Sequence, residues 1–163
     1  MSSELWLGLA TISELTKTGN WELRVDLVDF EGVNYTAFYS QFHVEEEPLY
    51  RLNISGYDLE SSTIEDSFTG NRHPHNHNGM AFSTSDNDND LNPGNCAKRY
   101  LGAWWYESCY SSSLNGFNYN DGSLPESPAF DGKGIIWANT DNVPDHDAYF
   151  SWPKASMKMR RRL

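Results

Sequence analysis

The sequence predicts one α+β domain, in which a small antiparallel sheet and short helices support a long loop-rich region. Residues 21–27 alternate apolar and charged side chains, which is the pattern of a half-buried strand. Aromatic residues make up 14% of the chain, and glycine and asparagine are frequent, which favours short strands and ordered loops over a helix bundle. Residues 70–131 show little periodicity and are rich in Asn, Gly, Ser and Asp.

The helix and strand predictions follow from local patterns. Ser13 is a suitable N-cap and Gly19 a suitable stop for a short helix over residues 13–18, and one helical turn is expected within residues 58–69. The remaining strands are predicted over residues 37–44, 50–55, 134–137 and 156–159. Short turns separate the first three strands, so they should form an antiparallel meander.

These elements divide residues 1–163 into two parts of one domain. Residues 1–57 and late strands within residues 134–160 should form the central sheet region, and residues 70–131 the loop-rich region. Because the second part is too long for an unstructured loop in a compact domain, something other than strand pairing must order it. A cation and a disulfide would suffice.

The charge of the chain excludes several classes of partner. With 12 basic and 23 acidic residues the net charge is −11, which argues against nucleic acids and anionic membranes. No apolar run is long enough to span a bilayer, so membrane insertion is not expected. The basic residues 158–162 are expected to form a solvated tail.

The two cysteines bear on the cellular compartment. Cys96 and Cys109 form either one disulfide, which indicates an oxidising compartment, or two buried free thiols. The N-glycosylation tripeptides that begin at Asn34 and Asn53 agree with secretion. No signal peptide is present at the start of the sequence, so we expect a secreted protein whose export signal lies outside this chain, and a chain that is a fragment or an incomplete gene product.

The most informative segment is the acidic loop, residues 83–96, in which Asp86, Asp88 and Asp90 alternate with asparagines. Alternating carboxylates on a bend suit Ca²⁺, which binds six to eight oxygens. An EF-hand is excluded because Leu91 and Ala97 stand where that loop needs glycine and glutamate. The residues alone leave two interpretations open: a calcium loop of another type, or an ordinary acidic turn.

Other chemistry-bearing residues give weaker indications. His73, His75 and His77 have a spacing that can hold zinc, but a polar insertion over residues 73–75, with His77 in a separate motif, explains them better. Adjacent tryptophans at positions 104 and 105 are more often core residues than a ligand platform. No nucleophile–base pair or phosphate-binding loop is recognisable, and residues 145–147 (Asp-His-Asp) have no partnered serine or cysteine. The sequence therefore predicts a protein that is not an enzyme.

Specific motifs follow one another along nearly the whole chain. They are ELWLGL (4–9), WELRVDL (21–27), YRL (50–52), HNGMAFST (77–84), GNCA (94–97), GAWWY (102–106) and LNG (114–116). On these motifs the chain resembles the fibrinogen-related domain, the C-terminal globular domain of fibrinogen chains, ficolins, tachylectins, tenascins and angiopoietins. The resemblance implies that family's α+β fold, with a twisted antiparallel central sheet. It also implies that the first part of the family domain, which packs onto this sheet, is missing.

The resemblance implies a calcium ion in the acidic loop. The positions that match the family's ligands are the carboxylates of Asp88 and Asp90 and the backbone carbonyls of Asn92 and Gly94, with Asp86 outside this set. The same pattern pairs Cys96 with Cys109 and makes the two tryptophans structural.

In ficolin-like members, acetyl groups enter a pocket beside the calcium. Tyr100 matches the aromatic residue of that pocket, Tyr110 stands where the family has histidine, and Phe130 or Asp131 is expected to form the remaining wall. A tyrosine keeps a hydroxyl and a stacking face but lacks the imidazole donor. The anionic peptide pocket of fibrinogen is disfavoured, because Tyr100 and Tyr110 replace its acid and its histidine.

The resemblance thus predicts a calcium-stabilised extracellular recognition module that binds glycans or acetylated groups, as in innate-immune pattern recognition. The alternative is a protein-binding matrix or signalling module of the tenascin or angiopoietin type. Oligomers are expected only in a full-length form with a stalk.

Overall fold

The computed structural model describes residues 5–70, 75–119, 132–138 and 150–162. In chain order the helices and strands are α1 (Leu9–Thr16), β1 (Asn20–Val28), β2 (Asn34–Val44), β3 (Leu52–Tyr57), α2 (Cys96–Tyr100), β4 (Ser112–Ser113), β5 (Ile136–Trp137) and β6 (Lys154–Arg162). The predicted α+β class is confirmed. Among the described residues, no helix is long and apolar enough to cross a membrane.

Four of the strands form an antiparallel sheet in the order β3–β2–β1–β6. In the register of this sheet, Val25 on β1 lies opposite Ala37 on β2 and Met157 on β6. Val25 and Ala37 are fully buried, and Met157 packs against the same core. The alternation predicted over residues 21–27 therefore places one face of β1 in the core, as expected for a strand with a half-buried pattern.

The basic segment 158–162 is part of β6 and not a separate tail, although its basic side chains are exposed to solvent as expected. Lys158 pairs with Asp26 at 2.6 Å, and Arg160 pairs with Glu22, both across the β1–β6 ladder. Residues 155, 157 and 159 are apolar and half-buried, whereas the residues between them are exposed. The alternation of a strand was present in the sequence but was obscured by the basic residues.

The first helix begins earlier than predicted. Helix α1 starts at Leu9, so Ser13 lies inside it, 4% exposed, and does not act as the N-cap. Leu9 and Ile12 pack against the core, and this burial explains the earlier start. Gly19 follows the helix with φ of +84°, a left-handed conformation that glycine adopts without steric cost, as expected of a helix stop.

Three further assignments differ from the predictions. The strand expected within residues 134–137 is β5, which pairs with β4 in a separate two-stranded sheet and not with the central sheet. Residues 58–69 form turns and contain no helix, whereas the short helix α2 was not predicted. Strand β3 runs two residues past the predicted end at residue 55.

The loop-rich region is joined to the sheet by one aromatic core around Phe68. The ring of Phe68 lies parallel to Trp104 with centroids 5.8 Å apart, and edge-on to Tyr39 and Trp137, each at 5.4 Å. The hydroxyl of Tyr39 donates to the Asp66 carboxylate at 2.6 Å. Packing of this kind can order a long segment that has few strand ladders.

Candidate functional site

The acidic loop is held at both ends by backbone and amide contacts. Ser83 and Trp104 exchange two backbone hydrogen bonds, of 2.9 and 3.2 Å, at the start of the loop. The Asn89 amide donates to the Phe82 carbonyl at 2.8 Å, and the Asn95 amide donates to the Thr84 carbonyl at 3.1 Å. The two ends of the loop are therefore tied together, and its middle residues form a fixed bend.

Two of the three predicted carboxylates lie together on this bend. Asp90 accepts hydrogen bonds from the backbone N–H groups of Asn92 (3.0 Å) and Cys96 (2.9 Å), which fix its orientation. Burial raises the pKa of Asp90 and the adjacent Asp88 carboxylate raises it further, against the opposite effect of those N–H groups. Asp86, which is predicted to lie outside the ligand set, accepts from the Thr84 hydroxyl at 2.6 Å.

The other two predicted ligands are backbone carbonyls on the same loop. The Asn92 side chain bridges the loop to Ser108 at 3.1 Å and accepts the Gly94 N–H at 2.9 Å. Neither the Asn92 nor the Gly94 carbonyl oxygen accepts a hydrogen bond from the described residues. Two adjacent carboxylates and two available carbonyls are a donor set that fits a hard cation such as Ca²⁺.

Side chains alone do not form a metal site in the described part of the chain. No group of three or more His, Cys, Asp or Glu side chains is placed to hold an ion there. His77 is fully buried and uses both ring nitrogens for backbone hydrogen bonds, so it cannot join a zinc cluster. His75 contacts Glu107 at 3.3 Å, and His73 lies outside the described residues.

A disulfide connects the acidic loop to the aromatic residues, as predicted. Cys96 and Cys109 are bonded with their Cα atoms 5.7 Å apart. Cys96 is also the first residue of α2, and Asn95 caps this helix by accepting the Lys98 N–H at 2.7 Å. Asp90 binds the Cys96 N–H, so the acidic loop is also bonded directly to the first residue of α2.

Trp104 and Trp105 are structural, as the sequence indicated. Trp104 is 1% exposed and Trp105 is 3% exposed, with their rings in edge contact at 5.1 Å. The Trp105 indole donates to the Tyr50 carbonyl at 2.7 Å. The pair attaches the disulfide loop to the turn that precedes β3.

The predicted ligand residues Tyr100 and Tyr110 are brought together. Their rings meet edge-on with centroids 4.7 Å apart, and both side chains are half-buried. The Tyr110 hydroxyl donates to the Gly132 carbonyl, so part of the space beside these rings is filled by the protein itself. Phe130 and Asp131, the other two predicted residues, lie outside the described residues.

Gly132 is a site residue that sequence analysis missed. Its φ is +75°, and a Cβ atom there would lie 2.0 Å from the Tyr110 hydroxyl oxygen and 3.2 Å from a Tyr100 ring carbon. Only glycine allows this close approach of backbone to tyrosine. The chance of finding it from sequence was small, because the residue that requires the glycine is 22 positions away.

Replacing Gly132 by alanine should displace Tyr110 and destabilise the domain by about 2–4 kcal/mol, through backbone strain and steric overlap. Gly79→Ala is a matched control, since Gly79 has φ of +81° and open space around it. This variant should lose only the stability that backbone strain costs, without the steric overlap. Thermal denaturation of both variants measures the difference. In a Tyr110→Phe background, the Gly132→Ala cost should shrink; equal costs in the two backgrounds would show that the hydroxyl contact does not matter.

The comparison with known proteins agrees with this architecture. The family described as fibrinogen beta and gamma chains, C-terminal globular domain, matches residues 1–162. Fibrinogen-like protein 1 of Bos taurus is 39% identical over 98% of this chain, and human fibroleukin is 44% identical over 72% of it. The chain spans 49% of the first relative's length and 26% of the second's.

Solved structures of similar domains show the same fold. The fibrinogen-like globe domain of human ANGPTL6 has a TM-score of 0.82 and 34% identity, over 97% of this chain and 64% of that one. Lamprey fibrin D-dimer, complexed with the peptide ligand Gly-His-Arg-Pro-amide, has a TM-score of 0.81 and 32% identity, over 94% of this chain and 49% of that one. The chain belongs to the family of fibrinogen C-terminal globular domains.

Proposed function

We propose that this domain is an extracellular recognition module that binds a peptide or protein segment beside Tyr100 and Tyr110, while calcium in the acidic loop holds this surface in shape. The observation that carries the proposal is a set of exposed apolar side chains around the half-buried tyrosine pair. The domain acts by binding and catalyses no reaction.

Three segments meet to form this surface. Ala103 follows α2 and its carbonyl accepts the Asn115 amide at 3.0 Å, while the Phe117 N–H donates to the Lys133 carbonyl at 2.8 Å. Leu101 and Phe117 are 60% and 56% exposed on these segments. Exposed apolar residues beside aromatic ones are typical of the centres of protein interfaces.

The polar groups of the surface favour a peptide over an acetylated sugar. The Tyr110 hydroxyl is bonded to Gly132, and no imidazole is present at that position to donate to an acetyl oxygen. Arg99 lies over the Tyr100 ring with its guanidinium carbon 5.1 Å from the centroid. A solved relative in the comparison, lamprey fibrin D-dimer, is complexed with a peptide ligand. Because Tyr100 and Tyr110 replace the acid and the histidine of the fibrinogen peptide pocket, the peptide bound here should be of a different chemistry.

A glycan or acetylated ligand is the second candidate. The half-buried rings of Tyr100 and Tyr110 favour it, because tyrosine combines an apolar face with a polar tip. This ligand would use the same surface and the same calcium loop.

The proposed role of calcium is structural. Asp90 joins the loop to the first residue of α2 through the Cys96 N–H, and Tyr100 is the last residue of that five-residue helix. A cation held by Asp88 and Asp90, with the carbonyls of Asn92 and Gly94, would neutralise two adjacent carboxylates and fix the start of α2. The ion supplies no chemistry beyond this binding and orientation.

Selection from a displayed random-peptide library on the immobilised domain in calcium tests the proposal. We expect enriched peptides whose binding falls at least tenfold in Leu101→Asn, which removes an exposed apolar side chain and suits the φ of +56° at this position. Leu59→Asn is the control, since Leu59 is 75% exposed elsewhere. No enriched peptides, together with binding to acetylated sugars on a glycan array, would replace the proposal by the second candidate.

A further inference from the structure

The two N-glycosylation tripeptides of the sequence lie on strands of the central sheet. Asn34-Tyr35-Thr36 begins β2, and Asn53-Ile54-Ser55 lies within β3. Both tripeptides satisfy the acceptor pattern, because neither has proline at the middle position. The pattern alone is common by chance, so its meaning depends on where the asparagines point.

Both asparagine side chains are exposed and point away from the buried side chains next to them. Asn53 stands between Leu52 and Ile54, which are 0% and 1% exposed. Its amide makes one exposed hydrogen bond, to Glu45 at 3.1 Å. Attaching a sugar to this amide would therefore cost no buried contact.

Asn34 is still less engaged. It is the exposed first residue of β2, paired with Val28 at the end of β1, and its side chain makes no hydrogen bond within the described residues. The next side chain along the strand, Tyr35, packs edge-on against Trp152 at 5.4 Å. Successive side chains of a strand point to opposite faces, so Asn34 points away from that aromatic contact.

We propose that Asn34 and Asn53 each carry an N-linked glycan. The proposal rests on the extracellular location proposed above, because the modification takes place in the secretory pathway. The hydroxyls of the two tripeptides bond to Thr63 and Gln41, and the Asn34 and Asn53 side chains make no hydrogen bond to the acidic loop or to the tyrosine pair. The glycans are therefore compatible with calcium and with a ligand bound beside Tyr100.

The test is expression of the chain behind a cleavable secretory leader in animal cells, with an added acceptor tripeptide in a C-terminal tail. Medium and cell lysate are treated with peptide N-glycosidase and compared by gel mobility and peptide mass. The tail reports that the chain has met the glycosylating enzyme. We expect the glycans on Asn34, on Asn53 and on the tail to account for one step of gel mobility each. Peptide mass should show aspartate in place of asparagine at positions 34 and 53 after the treatment.

Single variants assign the steps. Asn34→Gln and Asn53→Gln should each remove one step. Ser55→Ala should remove the same step as Asn53→Gln, whereas Ser55→Thr, which keeps the acceptor pattern, should retain it. If the tail carries a glycan and Asn34 or Asn53 does not, in medium and in lysate, the proposal is overturned for that asparagine. This result would leave the proposed recognition function intact.

Discussion

Lowering the pH from 6.5 to 4 should reduce the free energy of unfolding by about 3 kcal/mol through His77 alone. This imidazole is fully buried, and burial lowers its pKa from 6.5 to about 4. The unfolded chain therefore takes up a proton below pH 6.5 that the folded domain does not bind until about pH 4. Stability from the neutral ring is complete above pH 6.5 and is lost as the pH falls through this window.

The geometry explains why the ring must be neutral. Nδ1 lies 2.7 Å from the Trp105 carbonyl and donates to it, while Nε2 accepts the backbone N–H groups of Ser111 and Ser112, each at 3.0 Å. A protonated Nε2 could accept neither N–H group. The hydrogen bond to the Trp105 carbonyl and the charges of Glu107 and Asp66 raise the pKa of His77, but less than burial lowers it.

Denaturant unfolding over pH 7 to 4, in the presence of a calcium chelator, measures this effect. His77→Gln should be destabilised at pH 7 by on the order of 2 kcal/mol, because the amide loses the ring's contacts with Phe68 and Trp104 and does not reproduce the rigid spacing between its donor and its acceptor. The variant should also lose the fall in the free energy of unfolding that His77 causes between pH 6.5 and 4. His75→Gln, which removes the half-buried neighbouring histidine, is the control and should keep most of the pH dependence due to His77, because burial lowers the pKa of His77 more than the charge of His75 does. An unchanged pH slope in His77→Gln would contradict the assignment.

The contrast between His77 and β1 shows what local patterns can predict. The alternation over residues 21–27 is complete within seven residues, and the structure extends it to Asn20–Val28. The role of His77 depends on partners 28 to 35 positions away, so no local window contains it. A histidine in that position of the sequence was equally compatible with a polar loop.

The candidate site also combines features that the sequence predicted with features that depend on distant residues and were not predicted. The disulfide was predicted from the cysteine count together with the family motifs, and the structure confirms it. The neighbourhood of Tyr100 and Tyr110 was also predicted, but the contact with Gly132 was not. Edge strand β6 was only partly recognised, because its exposed cations resemble a disordered basic tail.

The remaining large effect concerns calcium. Adding Ca²⁺ at 100 times its dissociation constant should stabilise the domain by about 2.7 kcal/mol, if the ion binds only the folded state. Asp88→Asn should abolish this gain. Because Asp88 is exposed and makes one long hydrogen bond, of 3.3 Å from the Asp90 N–H, the variant should fold normally in chelator.

Asp86→Asn provides the matched control for this prediction. It removes the same charge two residues earlier, from a carboxylate bonded to the Thr84 hydroxyl, and should keep the calcium gain. Calorimetric titration should give one bound calcium for the control and none for Asp88→Asn at the same concentration. If both variants keep the gain, Asp88 is not a ligand; if both lose it, the ion responds to the net charge of the loop and not to the adjacent carboxylates. Only loss confined to Asp88→Asn supports a site built by Asp88 and Asp90, since the two variants differ only in which carboxylate is removed.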